Sequence, residues 1–214
     1  DQVEPHLADP QPVVRGAVFG ASYGLEHALW FAPEGVEPVE EVTFKRSNAF
    51  EHVAAECRAV REGVGLIETS NFAKYEVHGP GARAWLDHLM TNRMPKPGRM
   101  VLAPMLKEDG KLIGDFSVAC LGEEEFYIIG SSIAEKYHMR WFEQHLPGDG
   151  SVSIRALGLA LLGLSIAGPK SRDLLAKLTR ADVGNQAFRF MDFRRMDVGM
   201  VPALVGQVSF SGDL

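Results

Sequence analysis

Among the carboxylates of this sequence, Asp115 stands in the least ordinary place. It lies inside the run Lys111-Leu112-Ile113-Gly114-Asp115-Phe116-Ser117-Val118, which reads as a strand. Aspartate is disfavoured in a strand interior by propensity and by the cost of desolvation. Alternation puts Ile113, Asp115 and Ser117 on one face, so that face is partly polar. Neighbouring Gly114 leaves room for a ligand or a second backbone. A carboxylate so placed can accept a proton from an attacking amine or stabilise a nearby cation. The strand alone leaves this chemistry open beside a plainer reading, a solvated aspartate on an exposed strand.

The other candidates are weaker. His138 and His145 are seven residues apart, so a helix can present them on one face. Without a third ligand they read as a surface pair. Cys57 and Cys120 form no CxxC and have no histidine at ligand spacing, so neither a disulfide framework nor a zinc site is expected, and the usage suits a reducing compartment. GxSxG, P-loop and GxGxxG signatures are missing, and Gly63-Val64-Gly65 lacks the third glycine, so no dinucleotide site is expected.

The chain has 214 residues, 46% of them hydrophobic, enough for one large domain or two small ones. Its net charge of -6 argues against nucleic acid as a partner. The longest apolar run, Leu157 to Gly168, falls short of a membrane span. The chain starts at Asp1 without a basic-then-apolar leader and stops at Leu214 just after a strand-like run, so a processed chain or a fragment is expected.

The elements that must position Asp115 follow from the pattern. Prolines and glycines make residues 1–45 read as irregular, with Tyr23, Trp30, Phe31 and Phe44 packed onto something. Residues 49–62 read as a helix with Asn48 as N-cap and a core stripe of Phe50, Val53, Ala54, Cys57 and Val60. Then comes a repeat: Val77-His78-Gly79-Pro80 with Arg83, Leu86 and Leu89 returns, 89 residues on, as Ile166-Ala167-Gly168-Pro169 with Arg172, Leu175 and Leu178. Each copy predicts a strand, a Gly-Pro corner with proline in the first helical turn, and an amphipathic helix packed on a sheet. Val101–Leu106 and Lys111–Cys120 flank Asp109-Gly110, a hairpin signal. Phe126–Ile129 reads as a strand, Ile133–His145 as a helix, and Phe188–Asp197 with Val201–Phe210 as two strands turning at Gly199. Strands mixed with helices in this way point to a duplicated α+β fold and away from a parallel doubly wound sheet.

Several stretches together carry a resemblance. Val64 to Ser70, Lys74 to Pro80, Thr91-Asn92, Met105-Leu106 through Gly110 to Asp115, Phe126-Tyr127, Ala167-Gly168-Pro169 and Ser209 to Leu214 resemble, in that order, the glycine-cleavage T-protein (aminomethyltransferase) family. The opening, Tyr23-Gly24 through Trp30 to Gly35 and on to Phe44-Lys45-Arg46-Ser47, resembles the stretch joining the flavin and folate halves of dimethylglycine and sarcosine dehydrogenases. The resemblance implies duplicated mixed-sheet subdomains around a folate cavity, truncated before a last domain. Residues 1–45 would be an ordered linker after a flavin domain, 46–150 the first subdomain and 151–214 an incomplete second one. It implies tetrahydrofolate as cofactor, FAD on a part of the protein outside this chain, and an N-methyl amine substrate. Asp115 would approach the folate amines and help capture a one-carbon unit from an iminium, giving 5,10-methylenetetrahydrofolate. The same resemblance places Leu102, Ser131 and Asp213 at folate contacts where the family more often has Tyr, Asn and Glu. It is compatible with a homo-oligomer in the bacterial cytoplasm or the mitochondrial matrix. A demethylase or methyltransferase acting on another donor, and a non-catalytic structural paralogue, are the alternatives.

Overall fold

A computed structural model describes residues 16–22 and 25–209, in two compact units, Asp1–Gly65 and Leu66–Leu214. The first unit is less irregular than its prolines and glycines suggest. Strands β1 (Ala17–Ser22) and β2 (Leu25–Phe31) pair as an antiparallel hairpin. Trp30 is buried with Val18, Ala32 and Ala49, and its indole donates to Glu40 at 2.8 Å. The other aromatics of that segment behave differently: Phe31 and Phe44 are exposed, and Tyr23 lies outside the described residues.

Helix α1 (Phe50–Glu62) forms where expected, but none of its residues is buried. The apolar stripe is therefore no core face, and Cys57 is exposed. Asn48 is not the N-cap either. That place falls to Ala49, while the Asn48 amide donates to the Val39 carbonyl at 2.9 Å and accepts from the Glu41 amide. The amide is spent on the preceding loop, so the helix start goes without a side-chain cap.

The second unit is built on a five-stranded sheet in the order β5-β6-β7-β4-β8, with every neighbouring pair antiparallel. Its strands are β4 (Ala73–His78), β5 (Arg99–Leu106), β6 (Leu112–Gly122), β7 (Glu125–Gly130) and β8 (Ser153–Ala156). Period-two alternation sends Tyr75, Val77, Phe116, Val118, Phe126 and Ile128 to one face. That face is covered by α2 (Ala82–Leu89), through Trp85, Leu86 and Leu89, and by α3 (Glu135–Gln144), through Phe142. Each such buried apolar side chain stabilises the fold by about 1.5–3 kcal/mol. The hairpin between β5 and β6 turns over Lys107–Lys111, with Gly110 at φ 81° and the Asp109 carboxylate accepting from the Lys111 amide.

On the opposite face lies a smaller cluster of Met100, Ala119, Tyr127 and Phe193. Phe193 comes from a second hairpin, β10 (Phe193–Val198) and β11 (Val201–Gly206), which turns at Gly199. Strand β10 starts later than Phe188, because Met191 takes a positive φ of 65° just before it. The buried carboxylate of Asp192 ties this hairpin to β5. It accepts from Arg99, from Arg194 at 3.0 Å and from the Arg189 amide at 2.8 Å. Burial pushes the Asp192 carboxyl up, but the Arg189 amide and the two guanidiniums outweigh it and hold it below the usual carboxylate range.

Both copies of the repeat form. The first is β4, the corner and α2; the second is β9 (Leu164–Ala167), the corner and α4 (Ser171–Leu178). Gly79 has φ 125° and Gly168 φ 111°. The Ala82 amide bonds the Gly79 carbonyl and the Ser171 amide the Gly168 carbonyl, both at 3.0 Å. Each proline thus sits in a turn before the helix rather than in its first turn. Arg83 donates to the Met94 and Pro95 carbonyls, and Arg172 to those of Val183 and Phe188. The two helices differ in burial, however. Leu174 and Leu178 are exposed, so the second stripe does not pack on a sheet as the first does. Strand β9 pairs only with β3 (Gly65–Glu68) among the described strands.

Candidate functional site

Asp115 sits where a break in strand register places it. Across β5 and β6, Pro104 faces Asp115 and Met105 faces Gly114, but Leu106 faces Leu112. The register skips Ile113, so two residues oppose one, as in a β-bulge. Ile113 is consequently buried in the main core and does not share Asp115's face, contrary to simple alternation. Asp115 and Ser117 do share a face, the one turned away from α2 and α3. Gly114 does not make room for a ligand. A Cβ there would stand 2.6 Å from His138 Nε2 and 2.7 Å from the Phe116 ring, so the glycine accommodates the core.

On Asp115's face an open cleft of about 310 Å³ is lined by Asn71, Phe72, Leu102, Asp115, Ser117, Ile129, Ser131 and Ser132 among others. The pairing explains the gathering. Leu102 faces Ser117, and Ser117 faces Ile129, so three strands contribute one row. Ser131 follows β7 directly, in an extended conformation before a short 3₁₀ turn, and makes no capping hydrogen bond. Leu102 is half exposed at 48%, and its carbonyl accepts from the Asn92 amide at 2.6 Å. Among the described residues the Asp115 carboxylate has no hydrogen-bond or ion-pair partner. It is exposed on the lining of the cleft.

Three of the four positions singled out from the sequence therefore meet in one cleft: Asp115, Leu102 and Ser131. Asp213 lies outside the described residues. Sequence reasoning missed Asn71, Phe72, Ile129 and Ser132 as lining residues. It also missed Lys74, which faces Ile129 across β4 and β7. The Lys74 ammonium is buried and donates to the carbonyls of Ser70 at 2.6 Å and Phe72 at 2.8 Å. It thereby braces the segment that carries Asn71 and Phe72. Burial pulls the Lys74 amine below its usual range, against the opposing pull of Glu135 and Glu68. Alternation in Ala73-Lys74-Tyr75-Glu76-Val77 separates Lys74 from the core-facing Tyr75 and Val77, but only the strand order puts it on Asp115's face. The histidine reading needs correcting as well. His145 is exposed, but His138 is buried at 2% exposure beneath the sheet, so the two are not a surface pair.

An antiparallel sheet with helices on one face and an open cleft of mixed polar and apolar lining on the other defines an α+β domain. The chain belongs to the family described as the GCVT N-terminal domain, whose model matches residues 11–214. It is 31% identical over 196 residues to the mitochondrial dimethylglycine dehydrogenase of Rattus norvegicus, covering 91% of this chain and 23% of that protein. It is 30% identical over 182 residues to an aminomethyltransferase of Chloroherpeton thalassium, covering 84% of this chain and 49% of that one. Among solved structures, the glycine cleavage system aminomethyltransferase T from Bartonella henselae matches with a TM-score of 0.73 at 20% identity, over 95% of this chain and 49% of that one. The chain thus spans under a quarter of the length of the dehydrogenase it matches and about half of the aminomethyltransferases.

Proposed function

We propose that the cleft is a tetrahydrofolate site and that the chain serves folate-dependent capture of a one-carbon unit. The donor in this reading is the iminium formed by oxidation of an N-methyl group of dimethylglycine or sarcosine, and transfer of its carbon releases the demethylated amine and gives 5,10-methylenetetrahydrofolate. The observation that carries it is the convergence of Asp115, Leu102 and Ser131, from three separate segments, on one cleft. The lining suits a flat heterocycle with a polar edge. Phe72, Leu102 and Ile129 offer apolar flanks, while Asn71, Ser117, Ser131 and Ser132 offer donors and acceptors.

Tetrahydrofolate supplies, when bound, the amine nitrogens that carry the carbon. The work of this chain is to bind, orient and manage charge. The Asp115 carboxylate, without a partner among the described residues, stabilises the cationic iminium and then takes up the proton that the attacking amine must lose. The hydroxyls of Ser131 and Ser132 fix orientation. Lys74 acts from below by bracing the Asn71–Phe72 wall. Leu102, where the resembled family more often has tyrosine, gives an apolar rim and no hydroxyl. The amine oxidation belongs to FAD on another part of the protein, with residues 1–45 as the linker and 46–150 and 151–214 as the folate-side subdomains. The compartment is the bacterial cytoplasm or the mitochondrial matrix.

The test is Asp115→Asn, which keeps the size and removes the charge. Methylenetetrahydrofolate formation should fall roughly 10²–10⁴-fold, the range for a positioned proton-transfer group. Oxidation of the amine, measured in the same preparation, should stay within about twofold, because its chemistry lies elsewhere. Unchanged methylenetetrahydrofolate formation would return Asp115 to a solvated residue on a strand.

A further inference from the structure

The buried histidine of α3 has no part in the chemistry above, and its contacts lead to the strand that carries Asp115. Opposite Met105 stand two residues, Ile113 and Gly114. A bulge of this kind removes a backbone group from the ladder. Ile113 is only 5% exposed, so a carbonyl freed there requires a partner inside the protein. The ring of His138 is the polar group beside it, and the Ile113 backbone favours the protonated imidazole. Its Nε2 is the nitrogen turned toward β6, 2.6 Å from where a Gly114 Cβ would be. Its Nδ1 lies 3.4 Å from the Tyr75 hydroxyl, which is also 3.2 Å from the Glu135 carbonyl. The Phe116 ring packs edge-on against the imidazole, with centroids 4.7 Å apart. Burial pushes the His138 imidazole below its usual range, partly offset by the Ile113 contact, which keeps it neutral with one proton to place. Placed on Nε2, that proton satisfies Ile113 and leaves Nδ1 to face the tyrosine.

We infer that His138 is a positioning residue for Asp115, its Nε2–H donating to the Ile113 carbonyl and so holding the bulge at Ile113–Gly114. The bulge is gripped from the core side by the imidazole and the Phe116 ring, and Asp115 leaves it on the opposite face as the next residue. The direction of the carboxylate into the cleft is thus set by a side chain that never touches the cleft. The role assigned to Asp115 rests on the folate reading, whereas the grip on the bulge does not.

Two near-isosteric variants separate the hydrogen bond from mere bulk, since His138→Gln keeps a donor and His138→Met lacks one. Amide hydrogen exchange in the unliganded chain gives a readout independent of activity. His138→Met should speed exchange at Gly114 and Asp115 about tenfold relative to the far end of β6, and His138→Gln should restore it. Methylenetetrahydrofolate formation should fall roughly 10²-fold in His138→Met, the scale of an ångström-level misplacement. Added to Asp115→Asn, His138→Met should cost nothing further, because both changes act through one carboxylate. Unchanged exchange, a His138→Gln as impaired as His138→Met, or losses that multiply in the double variant would overturn the inference. If Asp115→Asn itself leaves transfer intact, the folate reading falls, and the exchange result still decides whether His138 holds the bulge.

Discussion

The two strand–corner–helix copies share local structure to within single hydrogen bonds and differ almost entirely in what covers them. In each, a glycine with positive φ opens the corner, and an arginine one turn later ties the helix to carbonyls downstream. The helices even end alike, with the Met90 amide on Leu86 and the Thr179 amide on Leu175. Yet Leu86 is fully buried, while its counterpart Leu175 is half-buried and Leu174 and Leu178 are exposed. The first copy's strand has four other strands in its sheet, over which its helix packs; the second's has β3 alone in its described sheet. Local sequence thus writes the unit, and sheet neighbours decide whether its apolar stripe becomes core.

The largest effect that could break this contrast is a cavity. Leu86→Ala should cost about 2–5 kcal/mol in denaturant unfolding, whereas Leu175→Ala should cost about 1 kcal/mol. Equal losses would mean that both helices are equally packed. Next, Gly79→Ala should destabilise by about 1–3 kcal/mol from backbone strain alone. It should lose more than that, because its Cβ would stand 2.2 Å from the Ser151 carbonyl oxygen. Thermal melting of the variant reads the sum. The arginines sharpen the comparison from the other side. Arg83→Met and Arg172→Met should cost similar amounts, about 1–2 kcal/mol each, because the bridge is local and present in both copies. Unequal costs would show that burial governs even this contact.

The smallest effects come from pH, and they separate the main core from the β10–β11 hairpin. His138, packed in the core of the first copy, has a folded pKa below 6.5. The folded state then binds fewer protons than the unfolded one, so core stability should decline as pH falls below 6.5. Asp192 works in a lower window. Its carboxyl is held below 3.8, so its contribution is present above 3.8 and is lost as pH falls through the lower folded value. Protection factors, which remove the intrinsic pH dependence of exchange, should therefore fall first around Phe116 and Ile128 during acidification, and around Arg194 and Leu204 only at lower pH. The reverse order would contradict both assignments.

Much of this architecture was legible beforehand, because hairpins and corners are written locally. Asp109-Gly110, Gly199 and the two Gly-Pro steps all mark turns that form. The cleft was legible only as separate residues: Asp115, Leu102 and Ser131 could be picked out, but the order β5-β6-β7-β4 that assembles them is a long-range property. The misreadings share a physical cause. Ile113 escaped alternation because a bulge adds a residue. His138 reads as a surface residue because the groups around it, Tyr75, Phe116 and the Ile113–Gly114 bulge, lie far away in sequence. The stripe of α1 has ideal periodicity and still buries nothing, since periodicity shows that a face is apolar and not that anything covers it.

Tetrahydrofolate is expected to meet this chain in the cleft beside Asp115. Amide resonances of the isotopically labelled chain, followed through a tetrahydrofolate titration, locate the contact directly. Saturable shifts should gather at Asn71, Phe72, Leu102, Asp115, Ser117 and Ile129 to Ser132, with the helix-covered face of the sheet unmoved, and Asp115→Asn should alter their pattern. Absence of saturable shifts, or shifts centred away from this cleft, would contradict the central claim.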